Sequence, residues 1–339
     1  MGSHRSVAPA SGFNRGAGAA LCALSAAAAA LGVVPVAQAA PSGGTRAEVD
    51  RLYTEAEQAT EAYNKADERA DRLRHEVSGA QDAIARQQER INSMRERLGA
   101  LAGAQYRAGG LDPSIALLFS DDPDEYLDKA ATLDRLTVHQ AGELRELQSA
   151  MRELAQERAE AAGKLGELEK NRRAVASHKR TVERKLARAR ELLNSLSPSE
   201  RAGYERVSRS GREEMPFLGG GQASSARAAA AVAAARSALG RPYVWGASGP
   251  SGFDCSGLMQ WSYGQAGVSL PRTSQAQAHA GRRVPLSQAQ PGDIVTYRSD
   301  ASHVGMYVGN GQVIHAPYPG APVRYDPVGM MPVSSVTRP

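Results

Sequence analysis

Apolar residues in the front half of this chain recur with alternating four- and three-residue spacing, and that period leaves few folds open. Leu73, Val77, Ala80, Ile84, Gln87, Ile91, Met94, Leu98 and Leu101 follow it without interruption. After a break it returns through Leu133, Leu144, Leu147, Met151, Leu154, Ala161, Leu165, Leu168, Val175, Val182, Leu186, Leu193 and Leu196. A repeat of 3.5 residues held this long keeps one stripe facing a partner helix, which predicts a coiled coil. The second helix alone would reach roughly 95 Å at 1.5 Å per residue. Arg158, Arg172 and Lys179 fall on seam positions and predict weak packing there. In the break, Gly109, Gly110, Pro113 and Pro123 stop the helix, so the chain turns back as an antiparallel hairpin. Ile115, Leu117, Leu118 and Phe119 would cluster at its tip, either capping the hairpin or presenting a docking surface.

Composition divides the rest. Residues 1–39 read as a signal peptide. Arg5 and Arg15 precede an Ala-rich apolar run, no acidic residue occurs before Glu48, and Ala37-Gln38-Ala39 offers a cleavage site. Residues 45–196 form the expected coiled-coil hairpin. Residues 197–225, polar and containing Gly219-Gly220-Gly221, read as a flexible linker. Residues 226–339 lack Lys and Glu altogether and gather Gly, Pro, aromatic and β-branched residues, as a compact domain does. Their nine Arg against four Asp give a basic domain, suited to acidic partners. Nucleic acid is excluded as an expected partner, since an exported chain shows no binding motif for it.

One cysteine survives removal of the leader, Cys255; Cys22 lies within it. An exported chain with a single thiol has no internal disulfide partner for it, so the thiol either reacts or pairs between chains. Ser256 to Tyr263 has helical spacing, which places Cys255 at a helix N-terminus, where unpaired N–H groups favour a thiolate. Buried inert cysteines are commoner in general. Here the Asp254, Ser256 and glycine surroundings make a poor apolar site and favour a nucleophile.

A nucleophile needs a base. His303 to Val308 and Gln312 to Ala316 read as a hairpin around Gly309-Asn310-Gly311. A two-residue turn would pair Met306 with His315 and separate the histidines onto opposite faces. A three-residue loop with Gly311 left-handed would pair Gly305 with His315 and bring His303 and His315 onto one face. His303 would then exchange the proton while His315 orients it. The remaining histidines are dispersed, and no zinc-ligand spacing is present, so neither a metal nor another cofactor is expected.

The order Tyr243-Val244-Trp245-Gly246, Phe253-Asp254-Cys255-Ser256-Gly257-Leu258, Pro271-Arg272-Thr273-Ser274, Pro291-Gly292-Asp293, His303-Val304-Gly305 and His315-Ala316 resembles the NlpC/p60 family. The resemblance implies a papain-like α+β domain behind the coiled-coil hairpin. It also implies hydrolysis of bacterial stem peptides between D-isoglutamate and the diamino acid, making this a peptidoglycan-directed, cell-wall-associated enzyme. Carried over by position, Cys255 is nucleophile, His303 base and His315 the orienting residue. Tyr243 lines the site, and Asp254 and Ser256 bind substrate. The front half is similar to wall hydrolases controlled by the FtsEX division complex, chiefly through Gln105-Tyr106-Arg107-Ala108-Gly109-Gly110. That likeness implies a membrane partner at the tip and a hairpin that covers the cleft until the partner moves it. Two alternatives remain: an amidase of related Cys/His type cutting beside muramic acid, and a catalytically silent wall-binding scaffold.

Overall fold

The computed structural model describes residues 42–107, 123–202 and 222–339. The expected signal peptide, the Ile115–Phe119 cluster and the Gly219-Gly220-Gly221 segment lie outside the described residues. Two long helices come first, α1 (Ser42–Arg107) and α2 (Pro123–Ser195). Cross-helix pairs show their direction: Lys185 meets Glu55, Arg69 meets Glu167, Lys164 meets Glu76, and Arg90 meets Glu146. Partners of rising number on α1 have falling numbers on α2, so the helices form an antiparallel hairpin within one chain.

The seam is apolar as the period requires, with Leu73, Val77, Ile91, Met94, Leu154, Val182, Leu186 and Leu196 buried. Its composition on α2 differs from the strict repeat. Leu144, Met151 and Leu165 are exposed, while Ala150 and Ala189 are buried in their place. An undistorted helix drifts against a seven-residue repeat, so over seventy-odd residues the contact stripe leaves the nominal positions. Arg158, Arg172 and Lys179 consequently point to solvent rather than into the seam, and Arg158 reaches across to Gln88 Oε1 at 2.8 Å.

The C-terminal part is an α+β domain with its own core. Helix α3 (Ala226–Ser237) starts at Ser225, whose side chain accepts from the Ala228 N–H. Helix α4 (Cys255–Gln265) is capped by Asp254, and the short α5 (Ser274–Gln277) by Thr273. Six strands follow: β1 (Arg282–Val284), β2 (Ile294–Tyr297), β3 (His303–Gly309), β4 (Gln312–His315), β5 (Arg324–Pro327) and β6 (Val333–Arg338). They form one antiparallel sheet in the order β1-β6-β2-β3-β4-β5. Leu258, Met259 and Tyr263 of α4 and Ala231 and Ala235 of α3 bury against Ile294, Val304, Met306 and Ile314 on one sheet face. Val295, Tyr297, Val313 and Val336 fill the other face.

The β3–β4 register decides where the histidines point. Met306 pairs with Ile314 and Tyr307 with Val313, so Gly305 lies opposite His315. The two histidines therefore share a face, as the three-residue loop was expected to arrange, but the device differs. The turn is the two-residue Asn310-Gly311, with φ of 54° and 69°, and a bulge between Tyr307 and Gly309 absorbs the odd residue. Gly305 is needed for the approach: a Cβ there would stand 3.2 Å from the His315 Cβ.

Candidate active site

Cys255 is the first residue of α4, where the Asp254 cap accepts from the Gly257 N–H at 2.6 Å and fixes the turn. Asp254 is fully buried and also accepts from the Gly246 N–H and, on both oxygens, from the Arg272 guanidinium. Donors of the protein itself thus hold Asp254 in place, at a position where the family resemblance implies a substrate contact. Ser256 Oγ accepts from Arg272 Nη1, and its hydroxyl donates to Glu61 Oε1 at 2.7 Å. Tyr243 is buried in the same core cluster as Cys255.

Opposite, three adjacent strands carry a diagonal relay. His303 on β3 meets His315 on β4, with Nε2 to Nδ1 at 2.8 Å and the rings perpendicular. His315 Nε2 lies 2.8 Å from Oδ2 of Asp326 on β5, and Arg324 Nε donates to that same oxygen. Asp326 accepts only, so His315 Nε2 carries a proton. Burial pushes the His315 pKa down to about 4 against the pull of Asp326, so this ring is neutral and its Nδ1 must accept. His303 Nε2 is thereby the donor, and His303 Nδ1 is the nitrogen left outside the relay. Sequence reading found the two histidines and missed Asp326, which sits two residues past Arg324 on an edge strand with no motif around it.

The third wall of the site comes from α1. Tyr53, Glu57, Glu61 and Asn64 occupy one helical face, and that face lies in the cleft. Tyr53 stacks on Tyr318 at 5.0 Å between ring centres, and Tyr63 meets the Trp245 ring edge-on at 5.3 Å. Between them Glu57 Oε1 accepts from His303 Nδ1 at 2.6 Å, while Oε2 accepts from Arg298 at 2.7 Å. Glu61 Oε1 accepts from the Ser256 hydroxyl at 2.7 Å and from the Cys255 thiol at 3.7 Å; its Oε2 accepts from the Ser274 N–H at 2.9 Å. Asn64 donates to Asp254 at 3.1 Å. Cys255 and His303 are left 1 % and 0 % exposed, which closes the thiol and the imidazole to solvent.

Electrostatics follow from this cover. Burial, then the carboxylates of Glu61, Glu57 and Asp254, push the Cys255 thiol well above its ordinary pKa. The helix N-terminus was expected to lower it; in the covered state three nearby acids override that dipole. With both ring nitrogens donating, His303 cannot accept the thiol proton. In the covered site the Cys255 thiol is therefore held protonated and both His303 ring nitrogens are taken up by hydrogen bonds.

Glu57, Cys255 and His303 also bring one possible ligand atom each within 4.8 Å of one another, a buried trio that sequence spacing did not anticipate because Glu57 lies on the hairpin. The Glu57 oxygens are already held by His303 and Arg298, so hydrogen bonding alone accounts for the arrangement.

Residues 240–336 match the family model described as NlpC/P60 family. Curated relatives carry the name "Probable endopeptidase". One from Mycobacterium tuberculosis is 48% identical over 118 residues, spanning 35% of this chain and 30% of its own length. One from Corynebacterium glutamicum is 52% identical over 109 residues, 32% of this chain and 52% of its own. The "Probable endopeptidase p60" of Listeria monocytogenes is 52% identical over 97 residues, 28% and 20%. The chain thus spans between a fifth and about half of these relatives. Among solved structures, NlpC2 from Trichomonas vaginalis is 42% identical over 34% of this chain and 48% of its own, with a TM-score of 0.32.

Proposed function

Since residues 240–336 form an NlpC/P60 domain, we propose that the chain is a cysteine endopeptidase of bacterial wall stem peptides, held inactive by its own helical hairpin. The observation carrying the reading is the convergence of Cys255, on the first turn of α4, with a His303–His315–Asp326 relay on three strands. In the uncovered cleft, His303 Nδ1 takes the Cys255 proton and Sγ attacks the peptide carbonyl. The tetrahedral adduct collapses to a thioester as His303 returns the proton to the departing amine. Water, deprotonated by His303, then releases the acid and restores the thiol. Tyr243, buried in the same cluster as Cys255, lines the acyl side. The bond cut is the one between D-isoglutamate and the diamino acid, and the setting is the wall outside the membrane, after export. Among the described residues no helix is long and apolar enough to cross a membrane.

Gating follows from the chemistry of the cover. Glu57 and Glu61 take the contacts that a substrate and the catalytic pair need, so the hairpin must leave before turnover begins. A partner at the hairpin tip, a membrane division complex of FtsEX type, would bind the uncovered form more tightly and shift the population toward it. Mass spectrometry of peptidoglycan digested by the purified chain tests the bond. New amino termini on the diamino acid support the reading; release of intact stems from muramic acid would replace it with an amidase.

A further inference from the structure

Glu61 is a ligand supplied by the protein itself, and its pocket reports what chemistry the cleft accepts beside Cys255. Three donors reach its carboxyl: the Ser256 hydroxyl, the Ser274 N–H and, at a longer 3.7 Å, the Cys255 thiol. Among the described residues no cation hydrogen-bonds to it. Arg272, the cation facing the pocket, is spent on both oxygens of Asp254 and on Ser256 Oγ. Asp254 itself adds a negative charge, and the Ser256 hydroxyl lies 3.3 Å from its Oδ1 as an alternative acceptor. Ser274 Oγ is buried without a hydrogen-bond partner.

A primary amide satisfies this pocket better than a carboxylate. Its carbonyl accepts from the Ser274 N–H, its NH2 donates to Ser256 Oγ, and the Ser256 hydroxyl turns to Asp254, leaving no added charge buried. We propose that the Glu61 pocket is a subsite for a neutral carboxamide, so the preferred substrate is a stem peptide bearing a primary amide in place of the free carboxyl next to the cleaved bond. This rests on the stem-peptidase reading for the substrate's identity; the pocket's preference does not.

The titration of Glu61 agrees. Burial and then Asp254 push its pKa up to about 7, with Ser256, Ser274 and the more distant Arg272 opposing. The other groups facing it are the Cys255 thiol, the Tyr243 phenol and, one turn away on α1, Glu57 paired with Arg298. Lys65, Glu68, Arg69, Arg72, His178 and His279 line the open groove alongside.

The intact chain tests the pocket through Cys255 labelling by 2,2′-dipyridyl disulfide, which reacts with thiols in acid, read on the Cys255 peptide by mass spectrometry. Near pH 8, Glu61→Gln should label more than about tenfold slower than the parent, and near about pH 4.5 the two should agree within about threefold. Faster labelling of Glu61→Gln near pH 8 would mean that the pocket selects a carboxylate, and would overturn the proposal. In a Glu57→Arg background that frees the cleft, a D-isoglutamine stem peptide should show at least about tenfold higher kcat/KM than its D-isoglutamate twin. Equal or reversed rates would refute the substrate preference. Cleavage of neither peptide would defeat the stem-peptidase reading, while the labelling result would still decide the pocket.

Discussion

Glu57 and Glu61 stand one turn apart on the same helix, each almost wholly buried, and they titrate in opposite directions. Burial opposes the charge of both. At Glu57 the His303 ring and the Arg298 guanidinium outweigh it and hold the carboxyl below its ordinary value. At Glu61 burial and then the charge of Asp254 push the pKa up to about 7. The difference teaches that the hairpin is fastened to the two halves of the cleft by different physics. On the base side it is an ion pair with the Arg298 guanidinium beside the His303 ring; on the nucleophile side it is a hydrogen-bonded carboxyl whose charge is opposed by burial and by Asp254. Breaking a buried ion pair by removing one partner costs about 3–5 kcal/mol, so the base side is the stronger fastening.

The largest effect falls on the nucleophile. Cys255→Ala in a Glu57→Arg background should abolish peptidoglycan hydrolysis, by more than about 10⁴-fold, with an unchanged circular dichroism spectrum. Turnover surviving at a tenth of the parent rate would remove the thiol from the mechanism. Asp326→Asn comes next. It sharpens the base side, because an amide can donate to His315 Nε2 and reverse the tautomer of the whole relay. A loss of about ten- to hundredfold in kcat, with KM little changed and the acid limb of the pH profile displaced, is expected. A merely structural role would instead lower the melting temperature and leave the pH profile in place.

Opposite titrations also bound the pH range of the cover. A carboxyl whose docked pKa is lowered stabilises docking above its ordinary value, so Glu57 loses its contribution as pH falls through the docked pKa. One whose docked pKa is raised stabilises docking below its ordinary value, so Glu61 loses about 3 kcal/mol as pH rises from its free pKa through about 7. Cys255 labelling, corrected for thiolate fraction, should therefore rise at both ends of the pH range, and Glu61→Gln should remove the alkaline rise alone. A single monotonic trend would contradict the two-sided account.

How much of this was readable from the sequence varies with the kind of signal. The hairpin followed from a period of 3.5, which survives in the residues themselves. The shared face of His303 and His315 was expected through a three-residue loop, which the structure replaces by a two-residue turn and a bulge. That register device was not legible, since a bulge at Tyr307–Gly309 leaves no mark of its own in composition. Asp326 escaped because its role depends on strand β5 adjoining β4, a pairing set by the whole sheet. The cover by Glu57 and Glu61 escaped because both lie far from the motifs in sequence. A trace existed: Tyr53, Glu57, Thr60, Glu61 and Asn64 repeat at helical spacing, a polar and aromatic face beside the apolar one of Val49, Leu52, Ala56 and Ala59. A plain coiled coil has no use for a second such face.

The hairpin seam offers the smallest effects. Leu154, which is buried, should cost about 2 kcal/mol or more when changed to alanine, whereas Leu165, half exposed although it keeps the repeat, should cost under about 0.5 kcal/mol. Equal losses in thermal unfolding would mean that the strict heptad, rather than the drifted stripe, makes the contact.

The account turns on whether the hairpin silences the site, and Glu57→Arg tests it with every other element in place. That substitution sets a guanidinium against Arg298 and removes the acceptor from His303. The release of soluble muropeptides from purified peptidoglycan by the intact variant should exceed that of the parent chain by about a hundredfold, as expected when a buried ion pair of about 3 kcal/mol is lost. Equal rates from two folded proteins would mean that the hairpin does not restrain the enzyme and that the covered cleft has no regulatory consequence.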